Sequence, residues 1–142
     1  TGDWDEADYE AALATATERL SRFPNWMLVR RSSADALRNW QAGPIDVLYV
    51  DGMHFAHLAL IDFALAWRHL RVGSVVVFDD YGIGQHKRLP HIPETVRAIE
   101  LTFQGLIEPI GLRKSQAAFR VIAEHPTSRW IADQRHRFKR EE

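Results

Sequence analysis

Three carboxylates and an imidazole stand close to the ends of two apolar runs. Val47-Leu48-Tyr49-Val50 leads into Asp51-Gly52-Met53-His54, and Val75-Val76-Val77-Phe78 leads into Asp79-Asp80-Tyr81-Gly82. If the two runs are neighbouring strands, Asp51, Asp79 and Asp80 converge, and like charges at one place repel unless protons or a cation intervene. A hard divalent ion such as Mg²⁺ suits an all-oxygen set of this kind. His54 lies beside the carboxylates, and an imidazole can accept a proton near neutral pH, so it is a candidate general base. The plainer alternative is that these side chains cap helices and turns: Asp51 before the helix near Phe55, Asp79 or Asp80 in the loop that follows them.

The elements that must position these residues can be read from periodicity. Glu6 to Arg22 carries helical spacing and frequent Ala. Trp26–Arg30 has the pattern of a short strand, and Ser32-Ser33 could cap a short helix from Ala34 to Trp40 that ends at Gly43-Pro44. Ile45–Val50 is a compact run of the type buried on both faces in a parallel sheet. A helical pattern from Phe55 to Leu70 follows, with Gly73 expected at a cap or turn, and then a second strand, Ser74–Phe78. Pro93-Glu94-Thr95 opens a helix that Gly105 closes. Leu106–Leu112 and Ala117–Ile122 predict an antiparallel pair around Arg113-Lys114-Ser115. This alternation predicts an α/β fold with a mainly parallel sheet and a closing hairpin. In such sheets ligands gather beyond the carboxyl ends of the strands, where both acidic turns lie. Residues 1–125 form the predicted domain, and 126–142 a polar tail expected to be helical.

Composition narrows the function classes. With 46% hydrophobic and 26% charged residues among 142, the chain has the profile of a globular protein. A formal net charge of −1 provides no field for nucleic acid or anionic lipid, and no apolar run approaches the ~20 residues of a membrane span. Zero cysteine removes disulfides and thiolate sites and suits a cytoplasmic protein. Association into a homo-oligomer stays open.

Ile45–His54, the helical segment with Asp62 and Trp67, and Val77–Tyr81 together resemble the central block of the class I S-adenosylmethionine-dependent methyltransferases. The resemblance is to the small-molecule O-methyltransferase type with the pattern D-G-x-H … D … W … L-x-x-G … F-D-D, and it extends roughly from Asp3 to Ile122. It implies a Rossmann-like sheet and methyl transfer from S-adenosylmethionine to a hydroxyl of a small molecule, sugar- or phenol-like, assisted by Mg²⁺. It makes Asp51 and Asp79 metal ligands, with Asp80 where that group has Asn or Asp. His54 falls where catechol-type members place a proton-accepting Lys. Ser33 and Ala34 follow the strand whose end lies near the adenine, and Asp51 stands at the same cofactor edge. The sequence departs from the pattern at Ser32, where an acidic residue is usual, and at Val72-Gly73-Ser74, where Pro-Gly-Gly is common.

A larger departure is that no Gly-rich loop follows a strand before Glu6. The resemblance therefore implies an N-terminally truncated domain that, alone, binds S-adenosylmethionine weakly and transfers little methyl. Two other functions fit: a non-catalytic fragment or binding module of this fold, and a metal-dependent hydrolase built on the same carboxylates. Among secondary candidates, His57 reads as helix surface, Asp62 as solvent-facing or paired with Arg68 or Arg30, and Trp40 and Trp67 as core or interface. His86, Lys87, Arg88 and His91 read as a basic loop.

Overall fold

The structure is a computed structural model that describes residues 5–82 and 91–124. The chain divides into two compact units, residues 1–31 and 32–142. The tail expected to be helical and His86, Lys87 and Arg88 lie outside the described residues.

The first unit holds helix α1, Glu6–Leu20. Asp5 caps it: its carboxylate accepts from the Asp8 N–H at 2.9 Å, and Asp8 returns the bond to the Asp5 N–H at 3.1 Å. This reciprocal box satisfies two of the amides that a helix start leaves orphaned. No residue of α1 is buried, so capping, Ala content and an ion pair between Arg30 and Glu10 support this unit. Trp26–Arg30, expected as a strand, forms none. A strand exists only as part of a ladder, and this segment has no ladder partner among the described residues.

The second unit carries α2 (Ser33–Arg38), β1 (Ile45–Val50), α3 (Ala56–Trp67), β2 (Leu70–Phe78), α4 (Ile92–Thr102), β3 (Ile107–Arg113) and β4 (Gln116–Val121). The strand order is β1-β2-β4-β3. β1 and β2 are parallel neighbours joined through α3, and the β3–β4 hairpin returns so that β4 pairs antiparallel with β2. This is the α/β sheet with a closing antiparallel hairpin that the periodicity predicts.

One sheet face is the core. Val50, Val76, Phe78, Ala117 and Phe119 pack there against Ala59 and Phe63 of α3 and Val96 and Ile99 of α4. Phe63, fully buried, meets Phe103 edge-on at 5.0 Å and lies 6.1 Å from Phe78. Burying a side chain of this size contributes about 1.5–3 kcal/mol. The other face is open: Val47 is 64% and Tyr49 49% exposed. The expectation that β1 is buried on both faces is therefore corrected: α3 and α4 of the same unit pack on the Leu48–Val50 side. Among the described residues, no helix is long and apolar enough to cross a membrane.

Gly73 is also placed differently from expectation. It sits inside β2 at φ +95°, not at a helix cap. Ile45 pairs with Leu70, but Val47 pairs with Val75, so residues 71–74 of β2 oppose Asp46 alone. A positive φ admits Gly most readily. The buried Ser74 hydroxyl holds this bulge, accepting from the Arg71 N–H at 2.9 Å and donating to the Ile45 carbonyl at 2.7 Å. The Arg71 Nε–H donates to Asp46 at 2.9 Å. Above the bulge the register is regular to Val50–Phe78, and the Asp79 N–H extends the ladder to the Val50 carbonyl at 3.0 Å.

Candidate active site

The level ends of β1 and β2 deliver two groups of polar side chains. The first centres on Asp79. Its Oδ1 accepts from the Asp80 N–H at 2.9 Å and from the Ser115 hydroxyl at 3.3 Å, and its Oδ2 accepts from the Tyr49 hydroxyl. The Tyr49 oxygen in turn accepts from the Gln116 amide at 2.8 Å. Donors on a carboxylate favour its charged form. The Tyr49 hydrogen bond, followed by that of the Asp80 amide, holds Asp79 below the usual carboxylate range. The same bond, with burial and the negative charges of Asp79 and Asp51, pushes the Tyr49 phenol above its ordinary value.

The second group is His54 with Asp80. Nδ1 of His54 lies 2.7 Å from the carboxylate Oδ2 of Asp80, an acceptor, so Nδ1 is the donating nitrogen. Nε2 is then the basic nitrogen. No described residue bonds it, and the side chain is 56% exposed. Asp80 adopts φ +56°, unusual for a residue with a Cβ. Held strain of this kind clusters at functional sites. The loop bearing His54 is fixed from α4. The His91 ring contacts the His54 carbonyl at 3.2 Å, Phe55 and His91 form an isolated bridge, and the buried Thr95 hydroxyl donates to the Ala56 carbonyl at 2.7 Å. The reading of His91 as part of a basic loop is thus corrected. It is a buried N-cap whose N–H donates to Glu94 at 2.8 Å, and that bond is the main cause of a lowered Glu94 carboxyl.

The remaining sequence candidates are placed as follows. Asp51 is exposed at the end of β1, with no hydrogen bond or ion pair among the described residues. Ser33 begins α2 and donates its hydroxyl to Asp62 at 2.6 Å, so among the described residues Asp62 is paired with Ser33 and not with an arginine. Ala34 is half-buried one residue on. Ser32 caps α2 by accepting from the Asp35 N–H at 3.2 Å. Arg68 donates to the Leu37 and Arg38 carbonyls that end α2, at 3.2 and 2.6 Å. The His57 ring stacks on Phe55 at the surface, Trp67 packs between Phe63 and Phe103, and Trp40 donates to the Gly43 carbonyl at 2.6 Å.

Tyr49, Ser115, Gln116 and Asp80's bond to His54 are the features that the sequence did not disclose. Period-2 alternation could have found Tyr49, since residues 47, 49 and 51 share a face, but an apolar run with few polar breaks conceals it. The structure also does not bring Asp51, Asp79 and Asp80 into one ligand set. No group of three or more His, Asp or Glu side chains among the described residues is arranged to hold a metal ion. Asp79 and Asp80 are instead each held by protein partners, Asp79 by Tyr49 and Ser115 and Asp80 by His54. Asp51, Asp79 and Asp80 are therefore not gathered as a ready ligand set for Mg²⁺ among the described residues.

Comparison with known proteins agrees with this fold. A family model described as a methyltransferase domain matches residues 2–81. A chain from Clostridium thermocellum assigned as an rRNA-methylase superposes with a TM-score of 0.58 at 12% sequence identity, over 87% of this chain and 72% of that one. The apo structure of CalS11, a TDP-rhamnose 3′-O-methyltransferase of calicheamicin biosynthesis, superposes with a TM-score of 0.50 at 18% identity. There the overlap covers 83% of this chain and 53% of that one, so this chain spans about half of that protein's length. No curated protein matches by sequence. At these identities the structural likenesses establish the fold alone.

Proposed function

The chain belongs to the methyltransferase-domain family, and from that premise we propose that it serves methyl transfer from S-adenosylmethionine to a hydroxyl of a small molecule, with His54 as general base. The observation that carries this is the 2.7 Å contact of His54 Nδ1 with Asp80 at the carboxyl edge of the sheet, which leaves Nε2 without a bond from any described residue. A carboxylate on one imidazole nitrogen fixes the tautomer and turns the other nitrogen into a positioned base. The bound donor supplies an electrophilic methyl group. The acceptor oxygen forms the new O–C bond as its proton passes to His54 Nε2, while the S–C bond breaks and its electron pair stays on sulfur. Asp80 is a positioning residue that stabilises the imidazolium.

Asp51, exposed at the end of β1, is assigned as an acceptor for donor or substrate hydroxyls, and Ser33 and Ala34 as donor contacts at the adenine side. The Ser33 hydroxyl is committed to Asp62, so its share of that contact falls to the backbone. A sugar-like hydroxyl is the preferred acceptor class, supported by the name of one structural neighbour, a TDP-rhamnose O-methyltransferase. The reading places the reaction in the cytoplasm and needs neither nucleic acid nor membrane.

The test is methyl transfer from labelled S-adenosylmethionine to a panel of hydroxylated sugars and phenols by the full-length gene product. General-base catalysis contributes about 10²–10⁴-fold. His54→Ala is expected to lower kcat by at least about 10²-fold while donor binding, followed by equilibrium dialysis, is unchanged. Undiminished turnover in His54→Ala removes the base. Labelling of RNA but of no small molecule replaces the acceptor class.

A further inference from the structure

The family resemblance implies a cation between Asp51, Asp79 and Asp80, and the structure fills those positions with its own donors. We propose that the Tyr49 hydroxyl, backed by Gln116 and Ser115, is the resident partner of Asp79, and that these carboxylates are balanced without a divalent ion. Each contact follows from the topology. β1 places Tyr49 on the open sheet face, two residues before the strand end. Val77 is its register partner on β2, and Asp79 lies two residues further on the same face. β4 starts opposite, with Phe78 paired to Ala117, so Gln116 and the preceding Ser115 of the hairpin turn flank Asp79. The Tyr81 N–H donates to the Ser115 carbonyl at 2.6 Å and ties that turn to the acidic loop.

Asp79 therefore accepts from a phenol, a hydroxyl and a backbone amide. Asp80 accepts from His54, and Asp51, whose charge bears on the Tyr49 phenol, makes no hydrogen bond among the described residues. Mg²⁺ requires near-octahedral oxygens at about 2.1 Å and gives up water reluctantly. An ion on Oδ2 of Asp79 would have to share that oxygen with the Tyr49 hydroxyl, and one on Oδ2 of Asp80 would have to share it with His54, so each oxygen offers an ion less of its charge. A single free carboxylate, Asp51, is a poor site alone. Tyr49 is in this account a positioning residue. It keeps Asp79 charged and fixed at the strand end, and it leaves Asp80 free to orient His54.

Titration of the 142-residue protein with Mn²⁺ decides the matter, read by calorimetry and by the electron paramagnetic resonance of the free ion. Donor and acceptor are both omitted, so the outcome is independent of the methyl-transfer reading. The wild type is expected to bind no tighter than millimolar. Tyr49→Phe keeps the ring, removes the hydroxyl, and is expected to bind at least tenfold tighter. Wild-type binding in the micromolar range that Asp79→Asn abolishes overturns the proposal. So does a Tyr49→Phe protein that melts like wild type yet gains no affinity, because the hydroxyl would then not be what bars the ion. Should Tyr49→Phe fail to fold, Gln116→Ala, which loosens the same hydroxyl, takes its place under the same criterion, and the wild-type titration stands without any variant.

Discussion

Asp80→Gly separates the two roles of Asp80, because the backbone resists this residue while the side chain serves the site. At φ +56° the Cβ of Asp80 is in the left-handed region, which costs roughly 1–2 kcal/mol, at the low end for Asp. Glycine relieves that cost but adds freedom to the unfolded chain, worth about 0.4–1 kcal/mol against folding. Glycine also removes the contact with His54, whose side chains are 22% and 56% exposed; a contact so open to water contributes about 0.2–1 kcal/mol. The backbone bond from residue 80 to Asp79 survives. The gains and losses nearly cancel, so the unfolding free energy in urea is expected to stay within about 1 kcal/mol of wild type. Asp80→Ala keeps a Cβ at the same φ and should fall about 1 kcal/mol or more below Asp80→Gly. The state of the ring, in contrast, should change outright. Long-range proton–nitrogen spectra should show His54 as the Nδ1–H tautomer in wild type and a shift toward Nε2–H in Asp80→Gly. An unchanged tautomer in the glycine variant, or a loss of more than about 2 kcal/mol, refutes the assignment of Asp80 as a strained orienting group.

Phe63→Ala empties the centre of the aromatic cluster and should cost about 3–5 kcal/mol in the same urea assay; a loss under about 1 kcal/mol would mean the cluster collapses onto the void. Gly73→Ala meets no atom within 4 Å yet sits at φ +95°, so it should destabilise by about 1–2 kcal/mol through the backbone alone, and a melt equal to wild type would show that the bulge adapts. The Asp79–Tyr49 pair sets a pH window. The Asp79 carboxyl is held below its unfolded value, so its contribution is present above about pH 4 and is lost as pH falls through the folded value. The Tyr49 phenol is raised, so its contribution is present below about pH 10 and is lost as pH climbs through the folded value. Tyr49→Phe should flatten both limbs of the stability–pH curve, and a curve superimposable on wild type would exclude the pair as their source.

The parts of the fold that periodicity disclosed are those whose stability is settled by burial. Phe78 and Val76 are fully buried, and a run of such residues reads as a strand whatever its neighbours. The hairpin was legible for the same reason, since Ala117, Phe119 and Val121 alternate inward. Trp26–Arg30 has the composition of a strand and lacks the ladder, which composition does not supply. His91 was misread because its neighbours in the chain are basic, whereas its environment is set by Phe55, His54 and Glu94 from across the fold. The acidic strand ends were visible as a pair, and their topology held. Their partners were not, because Tyr49, Ser115 and Gln116 approach Asp79 from 30 to 37 positions away in the chain.

The bulge at residues 71–74 works as a length adjuster. β2 has nine residues against six in β1, yet the two strands finish level at Val50 and Phe78, because the surplus is folded out at the end remote from the chemistry. Slack stored there makes the start of β2 the place where an inserted or deleted residue can be absorbed without disturbing Asp79. One residue added between Val75 and Phe78 has no such reservoir. With a side-chain period of two it would turn Asp79 to the opposite face of the sheet, into the apolar layer of α3 and α4. Length variation among homologous chains should therefore concentrate before Ser74 and be rare from Val75 onward.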